Sequence, residues 1–215
     1  MANRPVFYVN ECRPFYSVAN IEFEFNAGFS ASQKRKNIAA IHGKFLAEHP
    51  HMPVLEISSK SMQPEGLPLS AFFLKKYVPS LGMSVPVECV FQSSKAFQNG
   101  GPYTDILMKA PRDAKRDERL RTGSPLKAFV FEGRSYPSVP RTAFYNYIYI
   151  CALSENPELA EAALKFRAFT DIEFTPNKSI NCQAMAAAIY VSLFLSGNLD
   201  CLKDFESFVE CTRTF

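Results

Sequence analysis

Three residues at helical spacing could together carry acid–base chemistry. Glu88, Gln92 and Lys95 lie in the segment VECVFQSSKAF, which we predict to be one helix over residues 87–97. Positions i, i+4 and i+7 of a helix share a face, so an acid, an amide and a base would line one stripe beside Phe91. Such a stripe is unusual on an apolar helix, because a buried charge is costly unless it is paired. An ordinary exposed face with a Glu–Lys pair is the alternative that spacing alone leaves open.

A second polar group follows a short buried strand that we predict over residues 54–57. Ser58, Ser59 and Lys60 would place hydroxyls and a cation at the end of that strand. Phosphate groups are bound by donors of this kind. A turn that is simply rich in small polar residues is the alternative interpretation, and residues 62–68 (MQPEGLP) have the composition of a turn.

The third polar segment, TDIEFTPNKSINCQA, lies near the carboxyl end of the chain. We predict a strand over residues 170–174 that carries Glu173, a loop that carries Lys178, and an apolar helix over residues 180–195. Asn181 would then lie at the start of that helix, where free backbone N–H groups attract anions. The alternative is that Asn181 only caps the helix.

None of these segments is a named catalytic motif. The sequence contains no Walker loop, no GxSxG, no HExxH and no dinucleotide-binding GxGxxG. His42, His49 and His51 are spaced poorly for a metal site, and we interpret them as surface residues. Nothing in the sequence requires a metal or another cofactor.

Short strands between longer helices indicate an α+β fold rather than a regular βαβ alternation. Strands over residues 6–9 and 21–25 precede a helix that Ser30 and Gln33 would cap, with Ile38, Ile41 and Phe45 on its apolar face. Further on we predict a hairpin over residues 127–136 and helices over residues 142–153, 157–166 and 200–209. Pro and Gly mark short turns and no long linker, so we predict one domain over residues 1–215.

The composition favours a globular protein of the reducing cytosol. The chain has 215 residues, 47% of them hydrophobic, which is ample for a core without disulfide bonds. Its six cysteines form no C-x-x-C pair, which argues against a disulfide framework and a zinc site. We interpret Cys89, Cys151 and Cys182 as buried apolar residues. Neither a signal peptide nor an apolar stretch of membrane-spanning length is recognisable, so we expect a cytoplasmic location and no membrane partner.

The charge balance does not by itself indicate a nucleic-acid partner. The chain has 24 basic and 21 acidic residues, for a net charge of +3. A basic segment over residues 112–121 (RDAKRDERLR) is interleaved with acids, and we interpret it as a solvated helix.

Taken in order, these segments resemble the NADAR family, the YbiA-like domains linked to NAD and ADP-ribose. The family has a helix of the form E-h-x-F-Q-x-x-K-F, matched here by Glu88, Phe91, Gln92, Lys95 and Phe97. The resemblance covers about residues 54–196, which leaves residues 1–53 as an elaboration before the family core. It implies a single α+β domain of mostly helices.

Two further motifs carry the resemblance, and both depart from the family pattern. The S-N-F turn is matched by Ser70, Ala71 and Phe72, with alanine in place of asparagine. The family's L-V-E strand, lysine loop and N-R-L-G motif are matched by Ile172-Glu173, Lys178 and Asn181-Cys182-Gln183-Ala184. The family's W-G-D stretch is missing after Glu173, and so is the Trp that often opens the middle helix. Phe144, Tyr145 or Tyr147 would have to supply that aromatic surface.

More narrowly, the chain is similar to the DarG-type NADAR antitoxins, whose partner toxin attaches ADP-ribose to guanine in DNA. The phrases MANRPVFY, VECVFQSSKAFQNGGPYTDI and AFTDIEFTPNKSINCQA carry that similarity. It implies a hydrolase that acts as an antitoxin by removing ADP-ribose from guanine bases in DNA. The expected partners are ADP-ribosylated DNA, the ADP-ribose product and a cognate DarT-type toxin.

The implied reaction breaks an N-glycosidic bond through a transition state like an oxocarbenium ion. Glu88 would stabilise that cation or activate water, and Glu173 is the second carboxylate candidate. A lysine, either Lys95 or Lys60, would protonate the leaving base or trap the opened sugar as a Schiff base.

The resemblance also implies a set of substrate-binding residues. The diphosphate would be bound by Ser58, Ser59, Lys60, Lys178 and backbone N–H groups near Gly100 and Gly101. The adenine would stack on Phe72, Phe91 or Tyr103. Ser70, Gln92 and Asn181 complete the predicted binding residues.

Two other functions remain open from the sequence. One is a YbiA-like N-glycosidase that acts on a small riboside phosphate. The other is a module that binds ADP-ribose without chemistry. Glu88 and Lys95 on one face favour hydrolysis over simple binding, and a basic surface beside the pocket would favour DNA over a small substrate.

Overall fold

The structure, a computed structural model, describes residues 1–121, 123–176 and 179–213. Its strands are β1 (Ala2–Tyr8), β2 (Ser17–Phe23), β3 (Val54–Glu56), β4 (Lys75–Val78), β5 (Met83–Pro86), β6 (Lys95–Phe97), β7 (Leu126–Phe131), β8 (Arg134–Pro137) and β9 (Ala168–Thr170). Its α-helices are α1 (Ala31–Glu48), α2 (Val87–Ser93), α3 (Pro111–Arg116), α4 (Ala143–Ser154), α5 (Pro157–Ala163), α6 (Gln183–Leu195) and α7 (Phe205–Thr212). Short 3₁₀ helices lie at Pro79–Leu81, Thr104–Met108, Glu118–Arg121 and Leu199–Lys203. The α+β prediction is confirmed.

The strands form three small sheets. The first has the order β2-β1-β9-β3, in which β3 and β9 are parallel and the other neighbours are antiparallel. β4 and β5 form a hairpin, and β6, β7 and β8 form an antiparallel sheet. The predicted hairpin is confirmed as β7 and β8, with positive φ angles at Glu132 (49°) and Gly133 (73°). A two-residue turn of this kind matches the twist of the flanking strands.

The first helix forms as its sequence predicts. The side chain of Ser30 accepts a hydrogen bond from the backbone N–H of Gln33, which satisfies a donor that the helix itself cannot pair. Ile38, Ile41 and Phe45 are buried on one face. This face packs against the sheet that contains β1 and β2 and encloses a small second core.

The larger core surrounds α4 and α6, which pack on each other. Both helices are apolar on almost all sides, as expected for helices enclosed by other elements. Cys89 and Cys182 are buried as predicted, whereas Cys151 is half-buried. In the described part of the chain, no helix combines the length and apolarity that crossing a membrane requires.

The predicted helix over residues 87–97 is wrong in its second half. α2 ends at Ser93, and Lys95 begins strand β6, where it pairs with Phe129. The hydroxyls of Ser93 and Ser94 donate to the carbonyl of Val90, at 2.9 and 2.7 Å. Serine hydroxyls that bond to nearby carbonyls compete with the helical ladder, and pairing with β7 then takes over.

Two element boundaries near the carboxyl end are also corrected. β9 ends at Thr170, so Glu173 lies in a turn and not on a strand, with the N–H of Phe174 bonded to the carbonyl of Asp171. α6 begins at Gln183, so Asn181 precedes the helix and does not start it.

Two of the three histidines are not surface residues, contrary to the prediction. His42 is half-buried, with its Nε2 atom 2.8 Å from Thr170 Oγ1, and burial lowers the pKa of its ring to about 4. His49 is half-buried against the ring of Phe45, at 4.6 Å between centroids. His51 is exposed, as predicted.

Gly66 lies in the tightly packed turn that follows β3. A Cβ atom at this position would overlap the carbonyl oxygen of Glu56 and the side chain of Ser61. We therefore expect Gly66→Ala to lower the free energy of unfolding in urea by about 1–3 kcal/mol. The control is Gly43→Ala in α1, where nothing lies within 4 Å, and it should raise stability by about 0.5–1 kcal/mol. A Gly66→Ala protein as stable as the wild type would contradict this packing.

Candidate functional site

A cavity of about 920 Å³ opens at the carboxyl ends of β3 and β9. These strands are parallel, with Glu56 opposite Thr170, so the segments that follow them leave the sheet at the same edge. Ligands of sheet proteins commonly bind at such edges. The predicted residues that line the cavity are Ser58, Ser59, Lys60, Ser70, Phe72, Glu88, Phe91, Gln92, Glu173 and Asn181.

Glu88 is a buried carboxylate in the first turn of α2. Only 6% of its surface is exposed, and the side-chain amide of Gln92 donates to its Oε1 atom at 2.9 Å. Its backbone N–H donates to the carbonyl of Ala71, which joins α2 to the turn that carries Ser70 and Phe72. The sequence therefore predicted the Glu88–Gln92 pair correctly, and the carboxylate has a fixed orientation toward the cavity.

Lys95 reaches the neighbourhood of Glu88 from β6. Its Nζ atom lies 4.8 Å from the centre of the Phe91 ring, a cation–π contact. Burial lowers the pKa of this ammonium group, the Glu88 carboxylate opposes the shift, and Lys115 adds to it. Lys95 is not among the residues that line the cavity. Its ammonium group therefore contacts the ring of Phe91 outside the cavity lining, and the charge of Glu88 still acts on its pKa.

The loop after β3 offers hydroxyls and a cation, as the sequence predicted. The Nζ atom of Lys60 donates to Ser59 Oγ at 2.7 Å, and the backbone N–H of Lys60 donates to Ser58 Oγ at 3.1 Å. Ser58 is buried, while Ser59 is exposed. Gln183 anchors this loop, because its side chain donates to the carbonyl of Ile57 and accepts from the N–H of Ala71.

The second predicted carboxylate, Glu173, is held at the surface. Both of its oxygens accept from the ammonium of Lys34 at 2.5 Å, and its side chain is 46% exposed. Asp171, which the sequence analysis did not single out, is the other acid that lines the cavity. One of its oxygens accepts from the backbone N–H of Glu173 at 3.0 Å. The position of Asp171 just after a short buried strand was the signal that could have found it.

Below Asp171 lies a fully buried carboxyl group, that of Glu56. It accepts from Thr170 Oγ1 at 2.6 Å and from the backbone N–H of Ile172 at 2.9 Å. Burial raises the pKa of Glu56 in spite of these donors. Burial also raises the pKa of Asp171, to about 8, and the neighbouring Glu56 contributes to that shift.

Asn181 lines the cavity and carries an unpaired polar atom. Its Oδ1 atom is buried and has no hydrogen-bond partner among the described residues. A buried acceptor without a partner is costly, so this atom needs a partner that the described residues do not supply.

Four predicted site residues lie elsewhere, and a fifth falls in a gap between the described ranges. Lys95, Gly100, Gly101 and Tyr103 do not line the cavity. Gly101 packs against the backbone of Lys95, and Tyr103 lies under the guanidinium of Arg119 at 4.5 Å. Lys178 lies outside the residues that the structure describes.

The aromatic wall of the cavity comes from Phe72, Phe91 and Tyr145. Tyr145 meets Phe91 edge to face, at 5.1 Å between centroids. Of the three aromatic residues proposed to replace the missing Trp, only Tyr145 lines the cavity. Phe144 instead stacks on Phe129 at 4.5 Å in the core, and Tyr147 packs against Phe205.

A basic rim borders the cavity. The side chains of Arg112, Lys115 and Arg116 on α3 are exposed and line its mouth. The Nζ atom of Lys115 lies 5.5 Å from the ring of Phe72. The interpretation of residues 112–121 as one solvated helix is wrong in part, because α3 ends at Arg116 and Asp117 is buried. It also missed that three exposed cations of α3 face one cavity.

Comparison with known proteins identifies the family of the chain. The family model described as DarT1-associated NADAR antitoxin matches residues 2–215. No curated protein matches the chain. Because the family match covers almost the whole sequence, the chain belongs to the NADAR family, within the antitoxins associated with DarT1 toxins.

Proposed function

We propose that this antitoxin hydrolyses the N-glycosidic bond that links ADP-ribose to guanine in DNA. The observation that carries the proposal is the buried Glu88 carboxylate, oriented by Gln92 in a cavity that also presents hydroxyls and cations. The cavity volume of about 920 Å³ lies within the range of small-molecule sites, roughly 300–1,000 Å³. A nucleotide-sized group such as ADP-ribose suits this volume.

Glu88 would act on the ribose. Cleavage of the bond from C1″ to the base develops positive charge on the sugar, and a nearby carboxylate stabilises that charge. Because Gln92 donates to one oxygen of Glu88, the other oxygen is the one that would face the sugar or accept a proton from water.

The rest of the ADP-ribose would lie along the cavity wall. Ser58, Ser59 and Lys60 are the hydroxyls and the cation nearest to one another, and they would bind the diphosphate. The half-buried ring of Phe72 is the accessible aromatic face for adenine, since Phe91 is already buried among core aromatics.

Of the two candidate lysines, Lys60 lines the cavity and Lys95 does not. The lowered pKa of Lys95 would suit a nucleophilic amine, but its ammonium rests on the Phe91 ring. We therefore assign Lys60 to the diphosphate, and Lys95 to the electrostatic environment of Glu88.

The basic rim supports DNA as the substrate over a small riboside phosphate. Arg112, Lys115 and Arg116 exceed what one diphosphate needs, and cations beside an exposed aromatic ring are typical of surfaces that bind nucleic-acid strands. Phe29, which is 98% exposed, and Phe73 also border this mouth.

Glu88→Gln tests the hydrolase directly. The variant keeps the shape of the side chain but loses the negative charge, so release of ADP-ribose from a guanine-ADP-ribosylated oligonucleotide should fall by roughly 10²–10⁴-fold. Binding of free ADP-ribose should persist. Glu158→Gln, on the exposed face of α5, is the control and should act as the wild type does. A wild type that binds ADP-ribose but releases none would instead indicate a module that only binds.

Asn181→Ala separates ligand binding from stability. Because Oδ1 of Asn181 has no partner in the described protein, its removal should weaken ADP-ribose binding by roughly 2- to 10-fold in calorimetry without lowering Tm. Asn156→Ala is the matched contrast, since its side chain donates to the carbonyls of Lys75 and Ala152. That variant should lose stability and keep its affinity. Unchanged binding by Asn181→Ala would remove this residue from the site.

A charge-matched pair of triple variants tests the rim. Replacing Arg112, Lys115 and Arg116 with alanine should weaken binding of the modified oligonucleotide and lower the salt slope by about 0.7 for each phosphate that the variant no longer neutralises. The control triple replaces three exposed cations away from the cavity, namely Lys127, Arg141 and Lys203. Equal effects of the two triples would show that only net charge matters, and would favour a small substrate.

A further inference from the structure

The cavity contains a second carboxyl group whose surroundings differ from those of Glu88. Asp171 is the first residue after β9 and lines the cavity floor. Glu88, Asp171 and Tyr145 line the same cavity. Pairs of carboxyl groups in unlike environments are how one site supplies both an acid and a base.

We propose that Asp171 is the catalytic acid of this site and protonates the leaving nitrogen of guanine. The inference rests on the proposed hydrolase function and adds a residue to it. Asp171 takes the place of Glu173, which is paired with Lys34 at the surface.

Glu56 and Asp171 lie at the ends of two adjacent strands and accept different sets of hydrogen bonds. Glu56 accepts from Thr170 Oγ1 and from the N–H of Ile172, and His42 Nε2 lies 2.8 Å from the same Thr170 oxygen. These donors stabilise the ionised form of Glu56. In the described part of the chain, Asp171 accepts a single hydrogen bond, from the N–H of Glu173, and burial with the nearby Glu56 carboxyl raises its pKa, so Asp171 keeps its proton near neutral pH.

The other groups around Asp171 do not remove that proton. Glu173, on the same turn, adds repulsion that keeps Asp171 protonated, whereas Lys115 on α3 opposes it. Asp171 also acts electrostatically on three neighbouring groups, namely Tyr145 and Tyr149 on α4 and Cys182 before α6. Burial raises the pKa of each of these groups. These three groups are therefore neutral near pH 7. The effects of burial, Glu56 and Glu173 on the pKa of Asp171 outweigh that of Lys115, since the pKa is raised to about 8.

Protons and electrons balance in the resulting step. The bond from C1″ to the guanine nitrogen breaks with its electron pair going to nitrogen, and the proton of Asp171 moves to that nitrogen. Water adds to C1″ and gives a proton to Glu88. The products are free ADP-ribose and unmodified guanine. The proton on Glu88 passes to solvent, and a proton returns to Asp171 from solvent.

A leaving-group experiment tests this role. Asp171→Asn should slow release from the guanine-linked oligonucleotide by roughly 10²-fold or more. The same variant should cleave an ADP-ribose that carries 4-nitrophenolate at C1″ at nearly the wild-type rate, because that anion leaves without a proton. Asp200→Asn, on an exposed 3₁₀ helix, is the matched control. Equal loss on both substrates, or no loss on either, would overturn the role of Asp171 while the hydrolase function stands.

The pH profile and the folding control complete the test. The wild-type rate on guanine-linked DNA should fall as pH rises through about 8, where Asp171 loses its proton, and that limb should be absent from Asp171→Asn. Asp171 binds its proton more tightly in the folded protein than in the unfolded chain, so the variant should gain stability over the wild type as pH rises from about 4 to about 8 in urea denaturation. A variant that is unfolded at pH 6, or a wild-type rate that is flat to pH 10, would contradict the inference. A wild type inactive on both substrates would refute the proposed function itself.

Discussion

The buried carboxyl group of Glu56 ties together two segments that are far apart in the sequence. Glu56 is the last residue of β3, and its side chain accepts hydrogen bonds from Thr170 and Ile172 at the end of β9. These bonds fix the positions at which both strands end. Because the two strands are parallel, the Ser58–Lys60 loop and Asp171 emerge at one edge. Gln183 then connects this edge to Ala71, and Ala71 is bonded to the first turn of α2. These contacts position the Ser58–Lys60 loop, Asp171 and the first turn of α2 relative to one another.

Acidic and basic side chains occupy different parts of the cavity. Carboxyl groups occupy its interior, where Glu88 is oriented by an amide and Asp171 is crowded by Glu56. Cations occupy the loop after β3 and the rim on α3. The cations would attract the negatively charged diphosphate and the attached DNA strand. The acid–base groups would contact only the sugar and the bond to the base. The proposed reaction follows from that separation.

Local patterns in the sequence predicted much of this, and long-range contacts account for the rest. Helix capping by Ser30, the β7–β8 turn at Glu132 and Gly133, and the Glu88–Gln92 pair depend on neighbours within a few residues, so they could be predicted directly. Lys95 could not, since its strand pairing with β7 depends on residues more than thirty positions away. Asp171 and the rim on α3 could not be predicted as site residues from local sequence, because only the fold brings them to the same cavity as Glu88. Most residues of the family motifs line one cavity, but the motifs could not show that Glu173 forms an ion pair with Lys34.

The proposed reaction requires the anomeric carbon of the bound ribose to lie between Glu88 and Asp171. A crystal structure of the Glu88→Gln protein with a guanine-ADP-ribosylated oligonucleotide tests it most directly. We expect C1″ at near-attack distance from the side chain at position 88, about 3–4 Å, with the guanine nitrogen next to Asp171 and the diphosphate at Ser58–Lys60. A ribose bound against Lys34 and Glu173, or outside the cavity altogether, would contradict it.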